Sequence, residues 1–286
     1  MNGIVCLLKP TGLTSSDAVV AVKRILGTKA VGHLGTLDPF AAGVLPIAVG
    51  KSTRLFDYFL QKTKSYRAVV RFGATSLSLD TDAQDVQLGG KIPSVDEMIA
   101  VCKEFIGEYD QVPPIMSAKV INGVRAYDLA RSGIDVDIPA KRVEILDLNY
   151  VGQHSKTDFV FDVTCKAGTY VRALFRDVAQ KLGTTAILSA LVRTKSGEWS
   201  LNDCVTIEEL QEKKASAIIP VEKILEHLPS VAIEEKNAKK FLNGVPFSMG
   251  ALPSEQFTVW YQDNLYGLGI EPNGKLHLKT FLFDKQ

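Results

Sequence analysis

An α+β fold with a small β-rich domain at its C-terminal end is what the sequence predicts, and three observations carry the prediction. Capped segments of helical period stand among segments that alternate at strand period. The composition turns acidic after residue 203 and changes again at 231, where one helix and several short strands, joined by Asp-Asn and Asn-Gly turns, are readable. A chain of 286 residues, 46% of them hydrophobic, can bury a full core and still build a second small domain. The boundary is expected near 230.

The elements follow in order. "TSSDAVVAVKRILG" offers Thr14 or Ser15 as N-cap, Asp17 in the first turn, Val19, Val22 and Leu26 at helical spacing, and Gly27 as a stop. "GVLPIAVG" is a short apolar run suited to a buried strand, and "STRLFDYFLQ" reads as a helix. "SYRAVVRFG" alternates, with Tyr66, Ala68, Val70 and Phe72 on one face, and ends at Gly73. Residues 74–91, rich in Ser, Asp, Thr and Gly, are expected as a surface loop, followed by a helix at 94–106. The paired prolines of "QVPPIMSAK" require extended or turned backbone, and "AYDLARSG" predicts a short helix. Strands are expected at 141–151 and 158–165, and "GTYVRALFRDVAQKLG" turns from a strand end into a helix closed by Gly183.

Composition excludes several classes. No N-terminal basic-apolar segment and no uncharged run near the roughly 20 residues of a membrane helix is present, so a cytoplasmic location is expected. Cys6, Cys102, Cys165 and Cys204 form no CxxC pair, and His33, His154, His227 and His277 are equally scattered. Neither a disulfide framework nor a zinc site is indicated; reduced, mostly buried cysteines are expected. The net charge is only +1, yet residues 1–67 hold nine Lys or Arg against three Asp and no Glu, leaving the remainder at −5. The window 166–195 is basic as well. That asymmetry suits a basic face meeting a polyanion, although solvated surface charge without a partner reads equally well.

The stretch "GHLGTLDPFAAG", residues 32–43, sets one carboxylate, Asp38, in a tight run of glycine, proline and small residues. Pro39 pushes Asp38 towards extended geometry, while Gly32, Gly35 and Gly43 permit close approach by another backbone. By itself this describes either a carboxylate exposed to a ligand or an Asx-type turn capping a local amide.

Six blocks, in order, resolve the choice by similarity: "KPTGLTS", "GHLGTLDPFAAGVLPIAVGKSTR", "KSYRAVVRFG", "QVPPIMSAKVINGVRAYDLARSG", "GTYVRALFRD" and "LSALVRTKSGEWSL". Together they resemble the TruB family of bacterial tRNA pseudouridine-55 synthases, over nearly the first 200 residues, and the tail from 231 resembles that family's reduced PUA-like RNA-binding domain. The resemblance implies a pseudouridine synthase fold with a mixed, mainly antiparallel central sheet. Its domains would be a catalytic one at 1–230 and a PUA-like one at 231–286. It implies isomerisation of the T-loop uridine of tRNA by base flipping, without cofactor, metal or guide RNA, by a monomer with no obligate protein partner and no membrane.

The same resemblance carries over to residues. Asp38 matches the catalytic carboxylate. Arg172 matches the arginine that pairs with it; a desolvated carboxylate is driven towards protonation unless an opposite charge compensates, and a guanidinium fork can orient it as lysine cannot. A surface phosphate contact is the competing reading. Tyr66 matches the active-site tyrosine, whose ring would stack on the flipped uracil, although strand alternation alone reads it as a core tyrosine. His33 matches the histidine that fills the space of the extruded base, against a simple hydrogen-bonded turn histidine. Lys9, Lys64, Arg67 and Arg193 are expected to bind RNA phosphates or to brace the floor of the site, and Leu191 to pack beneath the uracil.

The chain departs from the family pattern at Met116, where a tyrosine is usual, at Val120, at Lys166 in place of a serine, and at Asp85 in a longer 74–85 loop. Two other functions remain open on sequence alone: a non-catalytic RNA-binding or tRNA-chaperone protein, and a nucleoside glycosylase, which would release free uracil.

Overall fold

A computed structural model describes residues 1–117, 120–121, 124–125, 138–250, 252–253 and 255–283. Its centre is a ten-stranded sheet. Along the main path the order is Ile219–Pro220, Gly3–Lys9, Ala42–Val49, Ala186–Ser196, Lys64–Phe72, Asp158–Cys165, Lys141–Gln153 and Gly107–Gln111. Val31–His33 pairs with Ala42–Val49, and Trp199–Ser200 with Ala186–Ser196. One junction is parallel, Val192 opposite Ala42 and Arg193 opposite Gly43; the other ladders of this sheet are antiparallel. The expected mixed, mainly antiparallel sheet is therefore observed.

Local chemistry explains the helices. In Ser15–Leu26 the Thr14 hydroxyl accepts from the Asp17 amide, the Asp17 carboxylate accepts from the Thr14 amide, and Gly27 closes the helix at φ 63°. Val95–Lys103 opens with the same box, Ser94 with Glu97. Val171–Lys181 lays Leu174, Phe175 and Val178 on the sheet, its Phe175 ring 5.0 Å from that of Phe161. Burying each such apolar side chain contributes about 1.5–3 kcal/mol.

Several expectations are corrected. The helix expected over 52–61 divides into a 3-10 turn, Gly50–Leu55, and a short α-helix, Phe56–Leu60. The Thr53 hydroxyl bonds the Gly50 carbonyl at 2.9 Å, an i to i−3 contact that suits the tighter turn. Gly3–Lys9 and Ala186–Ser196 are the longest of the sheet strands that the sequence pattern does not reveal. Gly3–Lys9 is buried along nearly its whole length, so no alternation marks it. Ala186–Ser196 shifts register twice against Lys64–Phe72, and each irregularity breaks its period. The 74–91 segment is not simply a surface loop. It pairs Ala74–Thr75 with Gln87–Leu88 and docks on the sheet through Thr81 N to Leu188 O and Leu188 N to Leu79 O, burying Asp80. The helix expected in "AYDLARSG" lies outside the described residues.

A second sheet, Ser230–Ala232, Phe257–Tyr261, Asn264–Ile270 and His277–Phe281, follows with the helix Glu235–Leu242. Phe241, Phe257, Val259 and Tyr261 form its core. Its tight turn has Gln262 and Asp263 at φ 48° and 59°, one residue earlier than the Asp-Asn pair suggested, and Asn273 and Gly274 form the other left-handed pair. Leu265, Leu268 and Leu282 pack on Ile4, Val44 and Leu55, and Arg54 donates to the Phe281 carbonyl at 3.0 Å. Among the described residues no helix is long and apolar enough to cross a membrane.

Candidate active site

Asp38 sits on the loop between Val31–His33 and Ala42–Val49, and three separate segments hold that loop. Ser15, buried at the start of its helix, accepts the Leu37 amide and donates to the Leu37 carbonyl, both at 2.8 Å. The Gly12 amide donates to the Pro39 carbonyl at 2.8 Å. Lys9 Nζ reaches Leu13 O at 2.6 Å, Pro10 O at 2.8 Å and Pro39 O at 3.4 Å. The "KPTGLTS" block is thus a cradle for the Asp38 loop.

From the opposite side comes the strand Ala186–Ser196. Arg193 donates to Val44 O, Thr36 O and Gly35 O at 2.7, 3.2 and 3.2 Å. Its backbone packs on Gly43, where a Cβ would stand 2.3 Å from Arg193 O, and Gly43 has φ 111°. The close approach foreseen at Gly43 is therefore made by the protein's own strand. Only glycine meets both demands.

Arg172, at the first turn of Val171–Lys181, is 5% exposed, whereas the Asp38 side chain is 33% exposed. Its Nε lies 2.9 Å from Asp38 Oδ2, an ion-pair contact without hydrogen-bond alignment. Nη1 donates to Ser78 O at 2.5 Å and stands 3.6 Å from Asp80 Oδ2; Nη2 donates to Met116 O at 3.1 Å. The pairing of residues 38 and 172 is present, but the expected two-pronged fork is not: the guanidinium faces Asp38 with one nitrogen and is held by the 74–91 segment and residue 116 with the others. The surface-phosphate reading of Arg172 is excluded by its burial.

Asp80 is the residue that sequence reasoning missed. It is buried, and burial raises its carboxyl above the usual range, against the lowering effects of Ser78 and Arg172. Nothing in the polar run 74–91 marks it, because its burial depends on the distant strand at Leu188. Met116 contributes only a carbonyl, which any residue supplies, so the missing tyrosine leaves this contact intact.

Tyr66 lies opposite Arg193, and Ala68 opposite Leu191, so the four share one face of the sheet. The Tyr66 side chain is half-buried at the margin of the core, and burial pushes its phenol up to about 12. Leu191 is buried beside it. His33 ends its strand opposite Ile47 with Nδ1 buried and unpartnered. Burial and then the nearby Arg193 charge lower its imidazole below the usual value, keeping it neutral near pH 7.

Three of the basic residues expected either to bind RNA phosphates or to brace the site are turned inward. Lys9, Lys64 and Arg193 are buried and spend their donors on backbone carbonyls, Lys64 on Leu60 O and Lys62 O. Burial brings Lys9 and Lys64 down to about 8. Lys9 and Arg193 thereby hold the backbone around the Asp38 loop, whereas Lys64 holds the turn at residues 60–62. Arg67 is exposed but bidentate on Asp162, at 2.8 Å to each oxygen. Two departures from the family pattern lie on the surface: Lys166 pairs with Glu144 at 2.6 Å, and Asp85 closes its loop on the Leu77 amide. The Val120 side chain lies outside the described residues. Among the described residues no cluster of His, Cys, Asp or Glu is arranged to hold a metal ion.

The large mixed sheet, which presents one partly exposed, guanidinium-paired carboxylate on a braced loop, has a fold of the pseudouridine synthase class, as its likeness to known proteins shows. The solved chain of a Cbf5-Nop10-Gar1 complex superposes with TM-score 0.73 at 26% identity, covering 99% of this chain and 85% of that one. Residues 23–171 match the family model of the TruB family pseudouridylate synthase N-terminal domain, and 172–227 that of the tRNA pseudouridylate synthase B C-terminal domain. The chain belongs to the TruB family. Two curated proteins named tRNA pseudouridine synthase B illustrate the likeness. That of Geobacillus thermodenitrificans is 40% identical, with 89% of this chain and 88% of that protein covered. That of Alkaliphilus oremlandii is 39% identical over the full length of both.

Proposed function

We propose that this chain isomerises the T-loop uridine of tRNA, position 55, to pseudouridine, with Asp38 as the carboxylate at the glycosidic centre and no guide RNA. Family membership makes it a pseudouridine synthase, and tRNA is the substrate for which its curated relatives are named. The reaction breaks C1′–N1, turns the uracil and forms C1′–C5; C5 gives up its proton to solvent and the freed N1 takes one up.

The observation that carries the reading is the Asp38–Arg172 pair: a partly exposed carboxylate, rigidly held, with a buried positive charge 2.9 Å away. Such a carboxylate can act at the ribose or the base without reorganising its surroundings. Because a stacked nucleotide cannot reach it, the uridine must leave its stack. In this reading Tyr66 stacks on the everted uracil, Leu191 supports it, and neutral His33 occupies the vacated space, lowering a flipping cost of about a few kcal/mol. Residues 231–286 add an RNA-binding surface to a catalytic unit formed by 1–230.

The test is release of tritium from 5-tritiated uridine in T-arm tRNA. Release by the native chain and none by Asp38→Asn, with RNA binding retained, is expected. Release persisting in Asp38→Asn would defeat the assignment, and free uracil among the products would make the chain a glycosylase instead.

A further inference from the structure

We infer that Cys6 and Cys204 form a reversible intramolecular disulfide when the chain meets a peroxide, a modification site separate from the uridine-isomerising site. The two residues are 198 positions apart, yet their sulfurs lie 3.3 Å from each other. The backbone explains why. Val205 pairs with Leu7 in parallel register, its amide donating to Cys6 O at 2.9 Å and its carbonyl accepting from the Leu8 amide at 2.8 Å. Cys6 and Cys204 each precede that bridge by one residue, so they stand side by side. Neighbouring strands run about 4.8 Å apart, within the roughly 4.4–6.8 Å between Cα atoms that a disulfide spans. The sulfurs need close by only about 1.3 Å to reach bonding distance.

The two thiols differ in a useful way. Cys6 is buried on the sheet, while Cys204 is half-buried and reachable from solvent. Because Cys204 is the less buried of the two, it is the sulfur that meets the peroxide first, and the hydrogen bond it shares with Cys6 favours its thiolate. Its thiolate attacks one peroxide oxygen, forming an S–O bond and expelling hydroxide. Cys6 sulfur then attacks the sulfenic sulfur; the S–S bond forms, the S–O bond breaks, and the Cys6 proton leaves with the departing oxygen as water. Two thiols are oxidised and one hydrogen peroxide is reduced to two waters. Cys102 and Cys165 are buried in the main core away from this pair and have no such course. The crosslink ties the first sheet strand to the segment that follows Trp199–Ser200 and restricts the unfolded chain over a long loop.

The experiment treats the full, pre-reduced chain with a small molar excess of hydrogen peroxide, alkylates it and digests it without reductant. The expected products are a Cys6–Cys204 linked peptide, lost on adding dithiothreitol, and a Tm about 5 °C above that of the reduced chain. Because Cys6→Ser risks the sheet, the control is Cys204→Ser. It should match the native reduced Tm yet show neither linked peptide nor peroxide-induced rise. Cys204 carried to sulfinic acid while Cys6 is recovered alkylated, or a Tm rise that survives in Cys204→Ser, would overturn the inference.

Discussion

Ser15 Oγ grips Leu37 from both sides, accepting its amide and donating to its carbonyl, across 22 residues of sequence. Asp38 is the next residue, so one buried hydroxyl sets the angle at which the carboxylate leaves the loop. Ser15→Ala leaves two buried backbone groups unpaired, a cost of about 1–3 kcal/mol. The expected result is a Tm lowered by several degrees and a tritium-release rate down by about 10²-fold, since small misplacement at a reacting centre costs that much.

Arg172 serves Asp38, Asp80 and two carbonyls at once. Arg172→Lys supplies one nitrogen for these positions and keeps the charge but not the placement. Turnover should fall by about 10²–10³-fold with circular dichroism unchanged, the range for loss of a preorganised group. Near-native turnover in this variant would remove Arg172 from the orienting role.

Tyr66 separates ring from hydroxyl. Tyr66→Phe keeps the stacking surface, worth about 1–3 kcal/mol per base, and Tyr66→Ala loses it. Measured with the same tRNA, the Phe variant should bind more tightly than the Ala variant; equal affinities would refute stacking.

His33 supplies a pH dependence with a definite sign. Its imidazole is lowered in the folded chain, chiefly by burial, so the unfolded chain binds the proton more tightly. Stability contributed by neutral His33 is therefore complete above the unfolded value of about 6.5 and declines as pH falls through it towards the lowered folded value. Denaturant unfolding of native chain and His33→Gln should diverge in slope below about pH 6.5, the native chain losing stability faster.

Gly43→Ala tests the parallel junction. A methyl group would meet Arg193 O at 2.3 Å and must also adopt φ 111°. A loss of about 3 kcal/mol or more is expected in chemical denaturation.

The sequence by itself determined the elements whose signal is local. The Thr14–Asp17 and Ser94–Glu97 boxes and the alternation of 64–72 and 158–165 are written in neighbouring residues, because caps and faces depend on spacings of two to four positions. The nearness of Asp38 and Arg172 was legible as well, though as a motif match; spacing alone left Asp38, Tyr66 and Arg172 each with a structural reading. Tertiary structure alone decided which basic residues are free. Lys9, Lys64 and Arg193 look like phosphate ligands in a basic stretch, yet each is enclosed by carbonyls brought from loops and strands elsewhere. It also buried Asp80 against Arg172 and set Cys6 beside Cys204. The reason is physical: burial and charge pairing act through distances of a few ångströms, and in a sheet joined by residues 100 to 200 positions apart those distances have no counterpart in local sequence.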